Sequence, residues 1–90
     1  MDEAGLKRLR MRSWRRGMRE TDLLLGGFAD ERLATLGPAQ GADYEALLEE
    51  NDQDLYAWIV AASAGERRAP PRFQPLIDAI AAAAAARLSQ

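Results

Sequence analysis

The chain has 90 residues, with 12 Lys/Arg, 14 Asp/Glu, no histidine and no cysteine, for a formal charge of −2 at pH 7. The missing cysteine excludes disulfides and thiolate zinc sites, and the missing histidine removes both the imidazole metal ligand and the usual acid–base group near neutral pH. Cysteine and Ser-His nucleophilic mechanisms go with them, so composition favours a binding protein over an enzyme.

A chain this short makes one domain, residues 1–90, that buries about 60–65% of the surface its unfolded form exposes. Its net stability is on the order of 5–10 kcal/mol. A hydrophobic fraction of 48% fits a folded protein. The charge is unevenly placed: residues 1–20 hold seven Lys/Arg against three Asp/Glu, and residues 21–90 hold five against eleven. A basic head on an acidic body argues for oriented binding. The opening Met1-Asp2-Glu3-Ala4 lacks the apolar core of a secretory signal, and the run from Ile77 to Ala86 is broken by Asp78. That run is too short and too alanine-rich to span a bilayer, so the expectation is a cytoplasmic protein without membrane insertion.

The first helix is predicted over residues 3–16, with residues 1–5 as a flexible lead-in. Leu6, Leu9 and Ser13 fall on one side at helical spacing, and no proline interrupts. Gly17 ends this helix or marks a tight passage into the next. The second helix is predicted over residues 18–36, with Leu25, Phe28, Ala29, Leu33 and Leu36 as its apolar stripe. Glu20 and Asp22 sit where carboxylates favour the helix dipole. Gly26-Gly27 is the weak spot, read as a kink or a close helix crossing, at about 1 kcal/mol per glycine.

Gly37-Pro38 closes that helix, and residues 37–42 are expected as a loop in which Pro38 could begin a helical turn. A third helix over 43–50 presents Tyr44, Leu47 and Leu48. Asn51-Asp52 breaks the chain and caps a fourth helix over 53–63, whose inner face is Leu55, Trp58 and Ile59. Gly65 stops it, and residues 64–71 form a polar loop stiffened by Pro70-Pro71. The fifth helix begins between Pro71 and Pro75 and ends near Leu88, packing through Phe73, Leu76, Ile77, Ile80, Ala81 and Ala84, with a fraying alanine run. There is no strand signal. The predicted fold is all-α, a small bundle of about five short helices.

The densest chemistry lies in Arg12–Glu20, where four arginines and Trp14 surround Gly17. If this segment were helical, Arg16 and Glu20 would share a face at i, i+4 and offer a fork donor and a carboxylate beside a bare glycine. The plainer alternative is a helix cap with solvated charges. On a helix Arg8, Arg12, Arg15, Arg16 and Arg19 share a side, which raises a second reading: a small arginine-rich nucleic-acid-binding or regulatory protein. The acidic remainder of the chain would repel phosphate and argues against nucleic acid. The segment Glu49–Asp54 fails as an EF-hand, because Ala57 and Ser63 stand where that loop starting at Asp52 needs glycine and glutamate. Helix capping explains it better. Trp58 fits the core, whereas Tyr56 points elsewhere on its helix.

Arg16, Gly17 and Glu20 match the R-G-x-x-E hallmark of the SdhE family, the bacterial relatives of mitochondrial succinate dehydrogenase assembly factor 2. Asp52, Asp54, Leu55, Tyr56 and Trp58 match a second pattern of that family, with Tyr44, Leu47 and Leu48 ahead of it. The resemblance covers roughly residues 6–60, and the tail from Ala64 to Gln90 carries no signature. It implies a five-helix assembly chaperone that binds the flavoprotein subunit of succinate dehydrogenase, and in some bacteria that of fumarate reductase. Such proteins promote covalent attachment of FAD to a histidine of that subunit. FAD would then be the partner's cofactor, with no stable cofactor, metal or catalytic residue in this chain. The partner-facing residues expected on this resemblance and on the spacing are Arg12, Arg15, Arg16, Gly17, Arg19, Glu20, Asp52, Asp54 and Tyr56.

Overall fold

Most of the apolar stripes read from the sequence become helix faces, with Leu36, Leu48 and Phe73 just outside the helices, while the helix ends are set by contacts that the stripes do not encode. The computed structural model describes residues 2–89; Met1 and Gln90 lie outside it. The helices are α1 Glu3–Trp14, α2 Arg19–Arg32 with a 3-10 turn at Leu33–Thr35, α3 Pro38–Leu47, α4 Asp52–Ser63 and α5 Gln74–Leu88. No strand occurs among the described residues.

Asp2 caps α1 by accepting the Gly5 amide at 2.7 Å. Residues 2–5, expected as a flexible lead-in, are therefore an ordered first turn. The second helix tightens into a 3-10 turn at Leu33 in place of running evenly to Leu36. The third starts earlier than predicted, because Gly37 serves as its N-cap and Pro38 occupies the first helical position, where a missing N–H costs nothing. Asn51 caps α4 through its side-chain oxygen, which accepts the Asp54 amide at 2.8 Å. At the other end the Gly65 amide reaches the Ala62 carbonyl and the Glu66 amide the Ala61 carbonyl, at 3.0 and 2.9 Å, which is the Schellman arrangement.

The core is one cluster drawn from all five helices, centred on Leu9, Leu25, Phe28, Leu33, Tyr44, Leu47, Leu55, Ile59, Ile77 and Ile80. Each such side chain contributes about 1.5–3 kcal/mol on burial. Trp58 packs against this cluster, its ring 6.5 Å from that of Phe73. The alanine run stays helical through Leu88, with Ala81 and Ala83 buried. Gly26-Gly27 proves to be a crossing point without a break in α2. A Cβ on Gly26 would collide with the Trp14 ring, and one on Gly27 would lie 2.7 Å from the Arg87 guanidinium carbon. The two glycines let α1 and α5 lay a large side chain across α2.

Tyr44 is the largest fully buried side chain and ties three helices together. Ser13 donates its one hydroxyl proton to the Leu9 carbonyl at 2.7 Å and lies 2.6 Å from the Tyr44 hydroxyl, whose own proton is shared between Ser13 and the more distant Leu25 carbonyl at 3.3 Å. The ring stacks on Phe28 at 5.7 Å. Ser13 on the inner side of α1 is thus the polar partner that makes a buried tyrosine tolerable.

Burial pushes the Tyr44 phenol from its ordinary value of 10 up to about 12, against an opposing pull from the Ser13 hydrogen bond. The folded chain holds this proton more tightly than the unfolded chain does. Its contribution to stability is complete below pH 10 and is lost as pH rises toward 12. We expect Tyr44→Phe to cost about 1 kcal/mol at neutral pH through lost hydrogen bonds. It should also flatten the fall in melting temperature over that alkaline window, which thermal melts at stepped pH would record.

Candidate partner-binding site

Four residues, 15–18, separate α1 from α2, and this turn is where the charged segment departs from the helix predicted for it. Gly17 has φ of +105°, a conformation that side-chain-bearing residues adopt only at a cost of about 1–2 kcal/mol. The Arg16 amide, turned out of the helical ladder, donates to Oδ1 of Asp22 at 2.7 Å. The conditional reading in which Arg16 and Glu20 share one helix face at i, i+4 therefore does not hold. Gly17 reverses the chain between them.

The Arg16 side chain turns inward across the molecule. Its Nε donates to Oδ1 of Asp52 at 2.7 Å, Nη1 to the Leu48 carbonyl at 2.8 Å and Nη2 to the Glu50 carbonyl at 2.6 Å. The Arg16 and Asp52 side chains are only 10% and 20% exposed. This explains why α3 stops at Leu47, short of the predicted Glu50. The carbonyls of Leu48 and Glu50 point at a guanidinium and no longer along a helix axis. Asp52 sits in the first turn of α4, where its charge also favours the helix dipole. Arg16 and Asp52, both expected to face a partner, are engaged with the chain itself. They join the turn after α1 to the loop before α4, so the two motifs found 36 residues apart in sequence form one surface.

The rest of the turn faces outward. A Cβ on Gly17 would meet nothing within 4 Å. Arg15, Arg19 and Glu20 are exposed and take part in no ion pair or side-chain hydrogen bond among the described residues. Arg12 meets Glu49 at 3.0 Å in an exposed pair, a contact weak enough to be exchanged for another partner. Asp54 is exposed on the opposite side of α4 from Asp52, and its carboxylate accepts from the Asn51 amide group at 2.8 Å. It belongs to the helix cap and not to the Arg16 cluster. Tyr56 lies one turn beyond Asp52 and lines a separate shallow groove with Val60, Glu66 and Arg68. Asp22, which fixes the Arg16 amide, was read from sequence only as a dipole partner. A hydrogen bond from a turn amide leaves no periodicity to detect.

These features define a small all-α domain whose most distinctive surface is a charged, glycine-centred turn fixed from within by an arginine–aspartate pair. The chain belongs to the Sdh5 family, the flavinators of succinate dehydrogenase, whose family model matches residues 7–84. The match takes in most of α5, where sequence inspection found no signature. The chain is similar to "Succinate dehydrogenase assembly factor 2, mitochondrial" of Schizosaccharomyces pombe, with 38% identity over 72 residues, 80% of this chain and 49% of the relative. The protein of the same name from Candida glabrata is 46% identical over 52 residues, 58% of this chain and 34% of the relative. That of Dictyostelium discoideum is 44% identical over 54 residues, 60% and 38% of the two chains. The chain thus spans half or less of the length of these curated relatives. No solved structure matches it. The resemblance carried by Arg16, Gly17, Glu20 and the Asp52–Trp58 segment is borne out, and the family supports the assembly role over the nucleic-acid reading.

Because one guanidinium serves three acceptors, lysine cannot replace it. We expect Arg16→Lys to lose about 1–2 kcal/mol of stability and Asp52→Asn a similar amount, by leaving polar groups half-satisfied. Combining them should cost less than the sum. Urea unfolding of the two single variants and the double variant would check this, and wild-type midpoints would show that the pair does not hold the loops.

Proposed function

We propose that this chain is an assembly factor that docks on the flavoprotein subunit of succinate dehydrogenase and promotes covalent attachment of FAD to it, without donating a catalytic group. The observation that carries the reading is the internally pinned turn of a flavinator-family chain, which leaves Gly17 bare and Arg15, Arg19 and Glu20 unpaired toward solvent. A rigid turn with free charges and no side chain at its tip suits close approach to another protein's backbone.

The chain has no histidine or cysteine with which to run the attachment chemistry. The bond would be made by the flavoprotein's own groups. The assembly factor would act by binding the arrangement of that subunit in which flavin and acceptor side chain meet, and so raise its population. FAD in this reading is held by the client and not by this chain. The flavoprotein of fumarate reductase, chemically alike, is the second client. No helix among the described residues is long and apolar enough to cross a membrane. We place the encounter in the bacterial cytoplasm; the relatives named above are mitochondrial.

Deleting the gene should abolish covalent flavin fluorescence of the flavoprotein subunit in a denaturing gel, and unchanged fluorescence would overturn the reading. At Gly17 the test must separate bulk from backbone strain. Any side chain is strained at this φ, asparagine less than the β-branched valine. Both variants should lower the melting temperature, Gly17→Val by more, and Gly17→Asn should block flavinylation at temperatures where it remains folded. Glu20→Ala removes an exposed carboxylate without an internal partner. It should leave stability within about 0.5 kcal/mol of wild type but weaken capture of the flavoprotein subunit in a pull-down.

A further inference from the structure

We infer that the docking surface for the flavoprotein subunit continues from the Gly17 turn into an apolar groove between α1, α2 and α5, filled by a segment of that subunit that carries apolar side chains flanked by acidic ones. The inference rests on the functional reading above and extends it to residues outside both sequence motifs.

The large apolar side chains left exposed are Met11, Trp14, Leu23, Tyr56, Val60 and Leu88. They are not scattered. Trp14, Leu23 and Leu88 line a single groove of about 320 Å³ together with Leu24, Gly27 and Ala84. Met11 lies one turn before Trp14 on α1. Leu23 is 52% and Leu88 88% exposed, so the fold gains little from their being apolar. Single exposed leucines need no explanation, but a cluster rimmed by charge marks an interaction site.

The groove is held open by the fold. Gly26 lets the Trp14 ring lie against α2, and the indole Nε1 donates to Oδ2 of Asp30 at 3.2 Å. On the other side the Arg87 guanidinium crosses Gly27 and donates from Nη1 to Oε1 of Glu31 at 3.2 Å. Each wall thus has an internal contact that biases its position before anything binds, which lowers the entropy cost of docking.

Continuity and charge select the occupant. Glu20 stands one turn before Leu23 and Leu24 on α2, and Arg19 one turn before Leu23, so the turn and the groove share an edge. Arg15 follows Trp14, and Arg8 lies one turn from Met11. None of Arg8, Arg15 and Arg19 is in an ion pair among the described residues. The free charge along this edge, three arginines against the one carboxylate of Glu20, is net cationic in an otherwise acidic chain, which calls for an acidic partner. A second copy of the chain would set these arginines against themselves in a two-fold interface, which disfavours self-association there. The other groove, with Tyr56 and Val60, has Glu66 and Arg68 on its lining and no such bias.

Binding of the purified flavoprotein subunit, measured by calorimetry at low and high salt, tests the assignment. Leu23→Ser and Leu88→Ser together should weaken binding by on the order of tenfold or more with an unchanged melting curve. Val60→Ser, the same change in the other groove, should leave binding as in wild type. Arg15→Glu should weaken binding at low salt and reduce its salt dependence. If the wild-type chain binds and the Leu23/Leu88 variant binds equally well, the groove assignment fails and the functional reading stands. If the wild-type chain does not bind the subunit at all, both fail. Wild-type self-association that the Leu23/Leu88 variant abolishes, with client affinity unchanged, assigns the groove to a second copy and overturns this proposal.

Discussion

The Arg16 guanidinium is the contact on which the rest of the candidate site depends. It reaches Asp52 and the carbonyls of Leu48 and Glu50 from a turn on the other side of the chain. Three consequences follow from that one side chain. It closes α3 early, it fixes the approach to α4, and it holds the turn around Gly17 in one orientation. A charge pair this sheltered adds little net stability compared with an apolar contact of the same size. Its value is geometric, because it locks two loops into a single surface.

The packing beneath that surface uses polar groups and small residues with economy. Ser13 gives a buried tyrosine its hydrogen bond, and the tyrosine in turn links α1, α2 and α3. Gly26 and Gly27 give up side chains so that Trp14 and Arg87 can lie across α2. In a domain this small the core is thin, and contacts between neighbouring helices must be close to be sufficient. The glycines that weaken α2 as an isolated helix strengthen it as the centre of a bundle.

Much of this was legible in the residues. The stripes of Leu25–Leu33, Tyr44–Leu48, Leu55–Ile59 and Leu76–Ile80 gave the helices, and Asn51 and Gly65 gave two of their ends, because periodicity and capping are local. What was not legible depended on contacts across the chain. Arg16 looked like a donor for a partner because nothing local reveals that the acceptors for its fork lie more than 30 residues away. The internal partner of Asp52 was hidden for the same reason. The start of α3 at Pro38 was available from proline at a first helical position, but the apolar stripe of Tyr44 and Leu47 drew the boundary inward. The groove beside Trp14 was invisible, since Leu23 and Leu88 lie on different helices and share no spacing.

The Arg16–Asp52 contact also orders the chain in time. Helices α1 and α2 pack on each other as sequence neighbours, and so do α4 and α5, so each pair can form by short loop closures. The arginine must wait for a residue 36 positions later, and closing that longer loop is entropically harder. During synthesis the first two helices can therefore exist with the Gly17 turn still loose. Asp52 must leave the ribosome and α4 must form before that turn is set. A chain that ended before Asp52 would present the same arginines without that geometry.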